Sequence, residues 1–265
     1  IRFYGLEKEL ASNSSYIDVL WKQKSRKQEH GSKWENQNTT IYYKLDGGDV
    51  TYLTETKDDE SENVDVNLKW IAYKDHFFST VLIAEENFDE ADLAYEKDEL
   101  QEKYLKYFES NIALPFNRSN DEKYSFVYYF GPNDYDILKK ISLEEGDDLN
   151  IKRMIPLGWT IFRWVNLGII IPLFNLLGNI FGTNMGLIIL IMTILIKLAL
   201  FPLTYRSYTS SAKMRVLKPQ IDEINKKIPK EKAMERQQAT MALYKKVGVN
   251  PMGGCLPILF QMPFL

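Results

Sequence analysis

Lys197 is the residue whose chemistry stands out first. It sits 12 residues into the apolar run MGLIILIMTILIKLALFPLT (185–204). An ionisable side chain at such depth in a bilayer costs roughly 2.5–3.5 kcal/mol on insertion scales, so its presence asks for a use. Thr193 lies four residues earlier, on the same helix face. Arg206 follows nine residues later, roughly in register with it, and Gln261 is a polar residue in a third apolar run, 247–265. Lys197, Thr193 and Gln261 together would make a hydrophilic patch between helices. Two plainer readings stay open: Lys197 snorkels to the interface near Thr204, or it pairs with a carboxylate on a helix outside this chain. No rival chemistry competes with the patch. One cysteine gives no internal disulfide framework, and His30 and His76 are too few for a Cys/His zinc site. No nucleophile triad, glycine-rich phosphate loop or paired-carboxylate motif is visible, so neither a cofactor nor an enzyme is expected. The acidic KDDESE at 57–62 reads as a solvated loop, not a calcium site.

The elements that would hold Lys197 follow from charge and hydropathy. The 265 residues divide into two unlike halves. Residues 1–150 carry 18 Lys/Arg and 32 Asp/Glu, a net charge of −14; residues 151–265 carry 15 and four, a net charge of +11. Such asymmetry implies different surroundings for the two halves. Trp164 to Ile196 is an uncharged stretch of 33 residues, too long for a soluble core helix and for one simple span of about 20 residues. Pro172, Gly178, Gly182 and Gly186 interrupt it, which predicts two segments. The first, within 151–180, has Lys152, Arg153 and Arg163 near its start and Trp159, Phe162 and Trp164 beside an apolar face. That suits an amphipathic helix in the headgroup region, with an ordinary spanning helix as the alternative. The second, 185–204, is the best spanning candidate. The third, 250–265, looks like the start of another span, with Pro257 in its first turn. The chain begins at Ile1 and stops at Leu265 inside that run, so a fragment of a longer protein is expected.

Residues 1–150 read mostly as strands and suggest a β-sandwich. Residues 39–55 (TTIYYKLDGGDVTYLTE) place two β-rich runs around Asp46-Gly47-Gly48, a hairpin signal. Residues 66–83 and 123–130 are rich in β-branched and aromatic residues. The acidic stretch 85–109 is open between a helix and a long loop.

Residues 205–247 lie between the spans and predict a helical hairpin. Met214, Leu217, Ile221, Ile224 and Ile228 are spaced 3, 4, 3 and 4, a coiled-coil seam. Pro229 breaks that helix, and Pro219 would kink or restart it. Met234 and Met241, with Leu243 or Tyr244, mark a second amphipathic helix. Residues 205–246 carry a net charge of +7, which places them in the cytoplasm and the acidic half outside it. The excess cations suit anionic lipid headgroups or ribosomal RNA, although positive-inside topology alone accounts for most of them equally well.

Several of these runs, taken together, resemble one family. MTILIKLALFPLTYRSYTSSAKMRVLKPQI, followed by QQATMALYKKVGVNPMGGCLPILFQMPFL, is similar to the YidC/Oxa/Alb membrane protein insertases. The carriers are the mid-membrane cation five residues before Pro-Leu-Thr, Ala-Lys-Met and Lys-Pro in the basic helix, Met-Ala-Leu-Tyr-Lys, and Asn-Pro-Met-Gly-Gly-Cys-Leu-Pro leading to Gln-Met-Pro. Upstream, WIAYKDHFFSTVLI and FGPNDYDILKKI look like the periplasmic domain of the bacterial inner-membrane branch. The resemblance implies a membrane protein of α+β class: a periplasmic β-supersandwich, an interfacial helix, and a transmembrane core with a hydrophilic groove open to cytoplasm and lipid. It implies Lys197 as the groove cation, and Thr193 and Gln261 as groove-lining residues. Met214, Leu217, Ile221, Ile224 and Met241 fall in the cytoplasmic hairpin. The implied partners are nascent membrane proteins, the Sec translocon, the ribosome, anionic lipids and the bilayer itself. One departure matters: most members compared have arginine where this chain has Lys197, and lysine is a point charge without the bidentate fork. This chain alone is not expected to complete a groove.

A different class of function stays in competition: a membrane-anchored periplasmic protein whose outer sandwich binds glycans or peptides. Deleting most of 1–150 separates the two, since the insertase reading puts activity in the membrane core. Half of a transporter is disfavoured because no internal repeat is visible.

Overall fold

The structure, a computed structural model, describes residues 15–100, 102–116, 123–143, 149–158, 160–229 and 232–248. The chain divides into two compact units between Pro156 and Leu157.

Unit one is a sandwich of two antiparallel sheets. The strands are β1 (Tyr16–Arg26), β2 (Thr40–Leu45), β3 (Val50–Tyr52), β4 (Asp59–Val64), β5 (Leu68–Lys74), β6 (Phe78–Phe88), β7 (Glu90–Lys97), β8 (Tyr104–Pro115) and β9 (Phe126–Pro132). A four-stranded sheet runs β1-β8-β7-β4, and a five-stranded sheet runs β3-β2-β5-β6-β9. The β2–β3 hairpin forms around Asp46-Gly47-Gly48, where Gly47 takes φ +63°, a left-handed conformation that favours glycine. Between the sheets pack Ile41, Tyr43, Ile71, Tyr73, Leu82, Phe88, Leu93, Phe108 and Ile112. Trp21, Tyr73 and Phe108 stack in series, with ring centroids 3.9 Å and 4.9 Å apart. The Tyr73 hydroxyl lies 2.8 Å from both the Trp21 carbonyl and Ser110 Oγ, so the polar tip of this buried ring is satisfied.

The five-stranded sheet is buried on its other face as well. Tyr42, Trp70, Ala72, Val81 and Ile83 are covered there by Leu138 of α2 (Tyr135–Lys139) and by Leu149, Ile151 and Met154. Burial on both faces explains the near-continuous apolar runs of β5 and β6. Trp70 Nε1 donates to the Leu149 carbonyl at 2.7 Å, and Arg153 pairs with Asp49 at 2.5 Å. Asp134 caps α2 by accepting from Ile137 N at 3.0 Å. These contacts tie the segment leaving the sandwich to its outer face, so the unit runs to Pro156, six residues past the expected boundary at 150.

Two further expectations are corrected. The acidic stretch 85–109 is neither helix nor long loop; it holds the end of β6, all of β7 and the start of β8. In β7, Ala91, Leu93 and Tyr95 are buried while Asp92 and Glu96 are exposed, the period of two that marks a half-buried strand. The KDDESE segment, expected as a loop, enters β4, which pairs with β7 in the register Asp59↔Glu96 and Asn63↔Asp92. An edge strand needs only one neighbour, and its charges keep the open edge in water.

Unit two is helical. Helix α3 (Thr160–Val165) passes through a π turn (Asn166–Ile170) into α4 (Ile171–Phe181). Asn166 Nδ2 donates to the Leu157 carbonyl at 3.1 Å, and Pro172 stands in the first turn of α4, where its missing N–H is harmless. Gly182 at φ +65° ends α4, and Asn184 caps the next helix by accepting from Leu187 N at 3.2 Å. Helix α5 runs unbroken from Met185 to Lys227, 43 residues, or about 65 Å at 1.5 Å per residue. Pro202 and Pro219 lie inside it; neither stops it. Ile228 and Pro229 end it, and α6 (Ala233–Val247) follows, closed by Gly248 at φ +68°. Among the described residues two helical stretches are long and apolar enough to cross a membrane, Thr160–Phe181 and Met185–Lys227. Only 11% and 6% of their apolar windows are buried, so they lack the cover a soluble core helix would have.

Candidate functional site

Lys197 and Thr193 share one exposed face of α5, one turn apart. Thr193 Oγ1 donates back to the Ile189 carbonyl at 2.8 Å, so its polarity is satisfied within the helix. Thr204 does the same to Leu200 at 2.9 Å. No acidic residue occurs from Trp164 to Arg206, so the helix itself offers Lys197 no counter-ion nearby. Arg206 is exposed, and Ser207 beside it is buried. Gln261 lies outside the described residues.

The seam on α5 lies where its spacing predicts. Leu217 is buried, and Met214, Ile221, Ile224 and Ile228 are half-buried. The facing side of α6 is set by Arg236, Thr240, Leu243 and Tyr244 rather than by its methionines; Met234 and Met241 are exposed. An Arg236 guanidinium N–H donates to the Asn225 carbonyl near the end of α5. A cation there meets the negative end of the helix dipole.

A second polar constellation, in unit one, has no signal in the sequence. At the pole of the sandwich where β1 ends and β5 turns into β6, Ser25, Glu35, Lys74 and Asp75 lie together, and Lys106 of β8 reaches the nearby backbone before β2. Glu35, on α1 (Ser32–Asn36), is 2% exposed; its carboxylate accepts from Gln28 N at 2.7 Å and Glu29 N at 3.1 Å. Ser25 Oγ donates to Asp75 at 2.5 Å. Lys74 Nζ donates to the Asn38 carbonyl at 2.6 Å, and Lys106 Nζ to those of Thr39 and Glu55 at 2.8 Å and 3.2 Å. The Lys106 ammonium also lies 4.0 Å from the Tyr95 ring centre, a cation–π contact. Burial is the largest influence on the titration of Asp75, Lys74 and Lys106. It pushes the Asp75 carboxyl up to about 6, against the opposing pull of Ser25 and with a push from Glu35. Burial also holds Lys106 down at about 8 and lowers Lys74. Among the described residues no cluster of three or more His, Cys, Asp or Glu could hold a metal ion.

A sandwich followed by long, uncovered apolar helices, one with Lys197 within its apolar run, defines a membrane-anchored protein with a large β domain on one side of the bilayer. Comparison with known proteins gives the family. The family described as "YidC periplasmic domain" matches residues 6–171, and the one described as "60Kd inner membrane protein" matches residues 176–265. The chain belongs to the YidC family of inner-membrane proteins, with its β domain in the periplasm. A membrane protein insertase YidC of Parabacteroides distasonis is 49% identical over 98% of this chain and 41% of its own length. One of Azobacteroides pseudotrichonymphae is 49% identical over 99% and 43%, and one of Bacteroides fragilis 41% identical over 100% and 43%. The chain thus spans less than half the length of these curated relatives.

Proposed function

We propose that this chain is part of a membrane protein insertase and chaperone that works without catalytic chemistry. The observation that carries the reading is Lys197: a cation on an exposed face of an apolar helix, one turn from Thr193, in a chain whose relatives bear the name insertase. In this reading Lys197, Thr193 and Gln261 line a hydrated groove. The cation attracts the polar, often acidic, tail of a client, and water in the groove shortens the apolar barrier that the tail must cross. Burial of the client's hydrophobic segment in lipid supplies the driving force.

The remaining assignments belong to the same proposal. The 22-residue stretch of α3, the π turn and α4 lies in the outer headgroup region, anchored by Arg163 and the exposed Trp164. The first half of α5 spans the bilayer, and its second half forms with α6 the cytoplasmic hairpin, whose cations meet anionic lipids and the ribosome. Residues 250–265, expected from the sequence to begin the next span, lie outside the described residues. The partners are nascent membrane proteins, alone or delivered through the Sec translocon.

The test uses the full-length protein with a photo-crosslinker at Thr193 or Gln261 and ribosome-bound nascent chains of a short single-span client. A crosslink that requires the client's hydrophobic segment, and weakens in Lys197→Glu, supports the groove. Absence of a crosslink at both positions in folded protein overturns it, and moves the function to the periplasmic sandwich as a glycan- or peptide-binding module.

A further inference from the structure

Helix α5 carries a second cation on the face of Lys197. The helix is unbroken from Met185 to Lys227, and Pro202 does not interrupt its turns. Register can therefore be counted from its apolar half into its basic half. Arg215 stands 18 residues after Lys197, which is five turns, so the two share one face about 27 Å apart. Thr193 falls on the same stripe four residues before Lys197, and Thr204 and Tyr208 fall on it seven and 11 residues after. Other nearby cations do not. Arg206, roughly in register by sequence, is two and a half turns from Lys197 along this unbroken helix and lies on the opposite side; Lys213 lies close to that side too.

The stripe stays open where it leaves the apolar run. The seam toward α6 is Leu217 with Met214, Ile221, Ile224 and Ile228, and Leu217 lies roughly 200° round the helix from Arg215. Helix α6 thus packs on the far side. Arg215 is exposed and forms no ion pair or side-chain hydrogen bond among the described residues. No acidic residue stands between Lys197 and Arg215; on the stripe the first is Asp222, about two turns beyond Arg215. A guanidinium fork can hold a carboxylate by two parallel hydrogen bonds, which the point charge of Lys197 cannot.

We propose that Arg215 is the cytoplasmic receiving point for acidic client tails: a carboxylate docks on its guanidinium and then passes along the Tyr208–Thr204 stripe to Lys197. This rests on the insertase reading of Lys197 and adds to it a binding residue outside the apolar run. Charge complementarity selects the occupant, and the shared face gives it a continuous path. An extended tail covers 27 Å in about eight residues, so a tail of that length reaches Lys197 while still held at Arg215.

The test uses the full-length protein in proteoliposomes and ribosome-bound nascent chains of a short single-span client. The client carries two aspartates in its N-terminal tail, or asparagines in their place. A photo-crosslinker at Thr193 reports arrival in the groove. Arg215→Glu is expected to slow arrival of the acidic tail about fivefold or more at about 50 mM salt, and to lose that effect near about 500 mM, where screening is short-ranged. Arg215→Lys should stay within about twofold of wild type, and so should Lys213→Glu, the same charge reversal on the other side. Both residues are exposed, so neither change touches the seam. Equal slowing by Arg215→Glu and Lys213→Glu would assign the effect to net charge and overturn the proposal. Equal slowing of the asparagine-tailed client would overturn it as well, by setting Arg215 against the ribosome or lipid. A Thr193 crosslink weakened by Lys197→Glu but not by Arg215→Glu would overturn this proposal and leave the groove standing. No Thr193 crosslink with either client in the wild-type protein would overturn both.

Discussion

At the scale of single residues, two cations of the same kind have opposite surroundings. Lys106 is 0% exposed and fully engaged, with two carbonyls and a tyrosine face around its ammonium. Lys197 stands exposed on its helix with no acidic residue near it in sequence. A charge needed only for structure is expected to be satisfied, as Lys106 is; in the proposed groove Lys197 instead meets the client. Lys197→Arg should therefore keep client crosslinking at Thr193 within a few-fold, because charge is retained. Lys197→Glu should reduce it by about tenfold or more for acidic tails, since attraction becomes repulsion worth at least about 1.4 kcal/mol. Measuring both with an acidic-tailed and a neutral-tailed client separates charge from size. In the sandwich, Glu35→Ala leaves the part-buried N–H groups of residues 28 and 29 without their carboxylate acceptor. It should lower domain stability by about 1–3 kcal/mol in a urea titration followed by tryptophan fluorescence. A loss of under about 0.5 kcal/mol would show that water replaces the carboxylate.

At the scale of elements, helix α5 carries the most consequence. Propensity argues for breaks at Pro202 and Pro219, yet the helix runs through both. The strong apolar periodicity on either side and the cap at Asn184 outweigh two lost hydrogen bonds. Pro219→Ala should therefore be accommodated without rearrangement and should slow amide exchange in residues 214–224; faster exchange there would mean that the proline is needed as a bend. The seam makes a second expectation. Leu217, 5% exposed, is the buried member of the α5 stripe. Leu217→Asp places an unpaired charge against α6 and should reduce protection in 233–247 by at least about tenfold, whereas Met241→Asp, on the exposed side, should leave it unchanged. The contrast could not be drawn from spacing alone, because Met241 satisfies an apolar repeat as well as Leu243 does. Only packing distinguishes them.

At the scale of the whole molecule, the opposite net charges of the two halves, −14 and +11, make topology directly testable. In a full-length protein with every native cysteine, including Cys255, replaced by serine, Leu20→Cys on exposed β1 should react with a membrane-impermeant maleimide in intact spheroplasts. Lys213→Cys should react only after permeabilisation; the reverse pattern would refute the proposed orientation. The sequence by itself determined the features that depend on neighbours along the chain. These are the apolar run around Lys197, the one-turn offset to Thr193, the hairpin at Asp46-Gly47-Gly48, the α5 seam and the charge asymmetry. Each is a periodicity or a composition over a few to a few tens of residues, which is the range over which helix, strand and bilayer insertion are decided. The tertiary structure alone decided that 85–109 is strand, since its alternation becomes meaningful only with β4 and β1 on either side of the β7–β8 pair. It also decided that Leu149, Ile151 and Met154 close the sandwich over Trp70, and that Ser25, Glu35, Lys74 and Asp75 come together at one pole. Those residues are separated by tens of positions in the chain, and desolvation, which gives them their chemistry, exists only once distant segments have excluded water together.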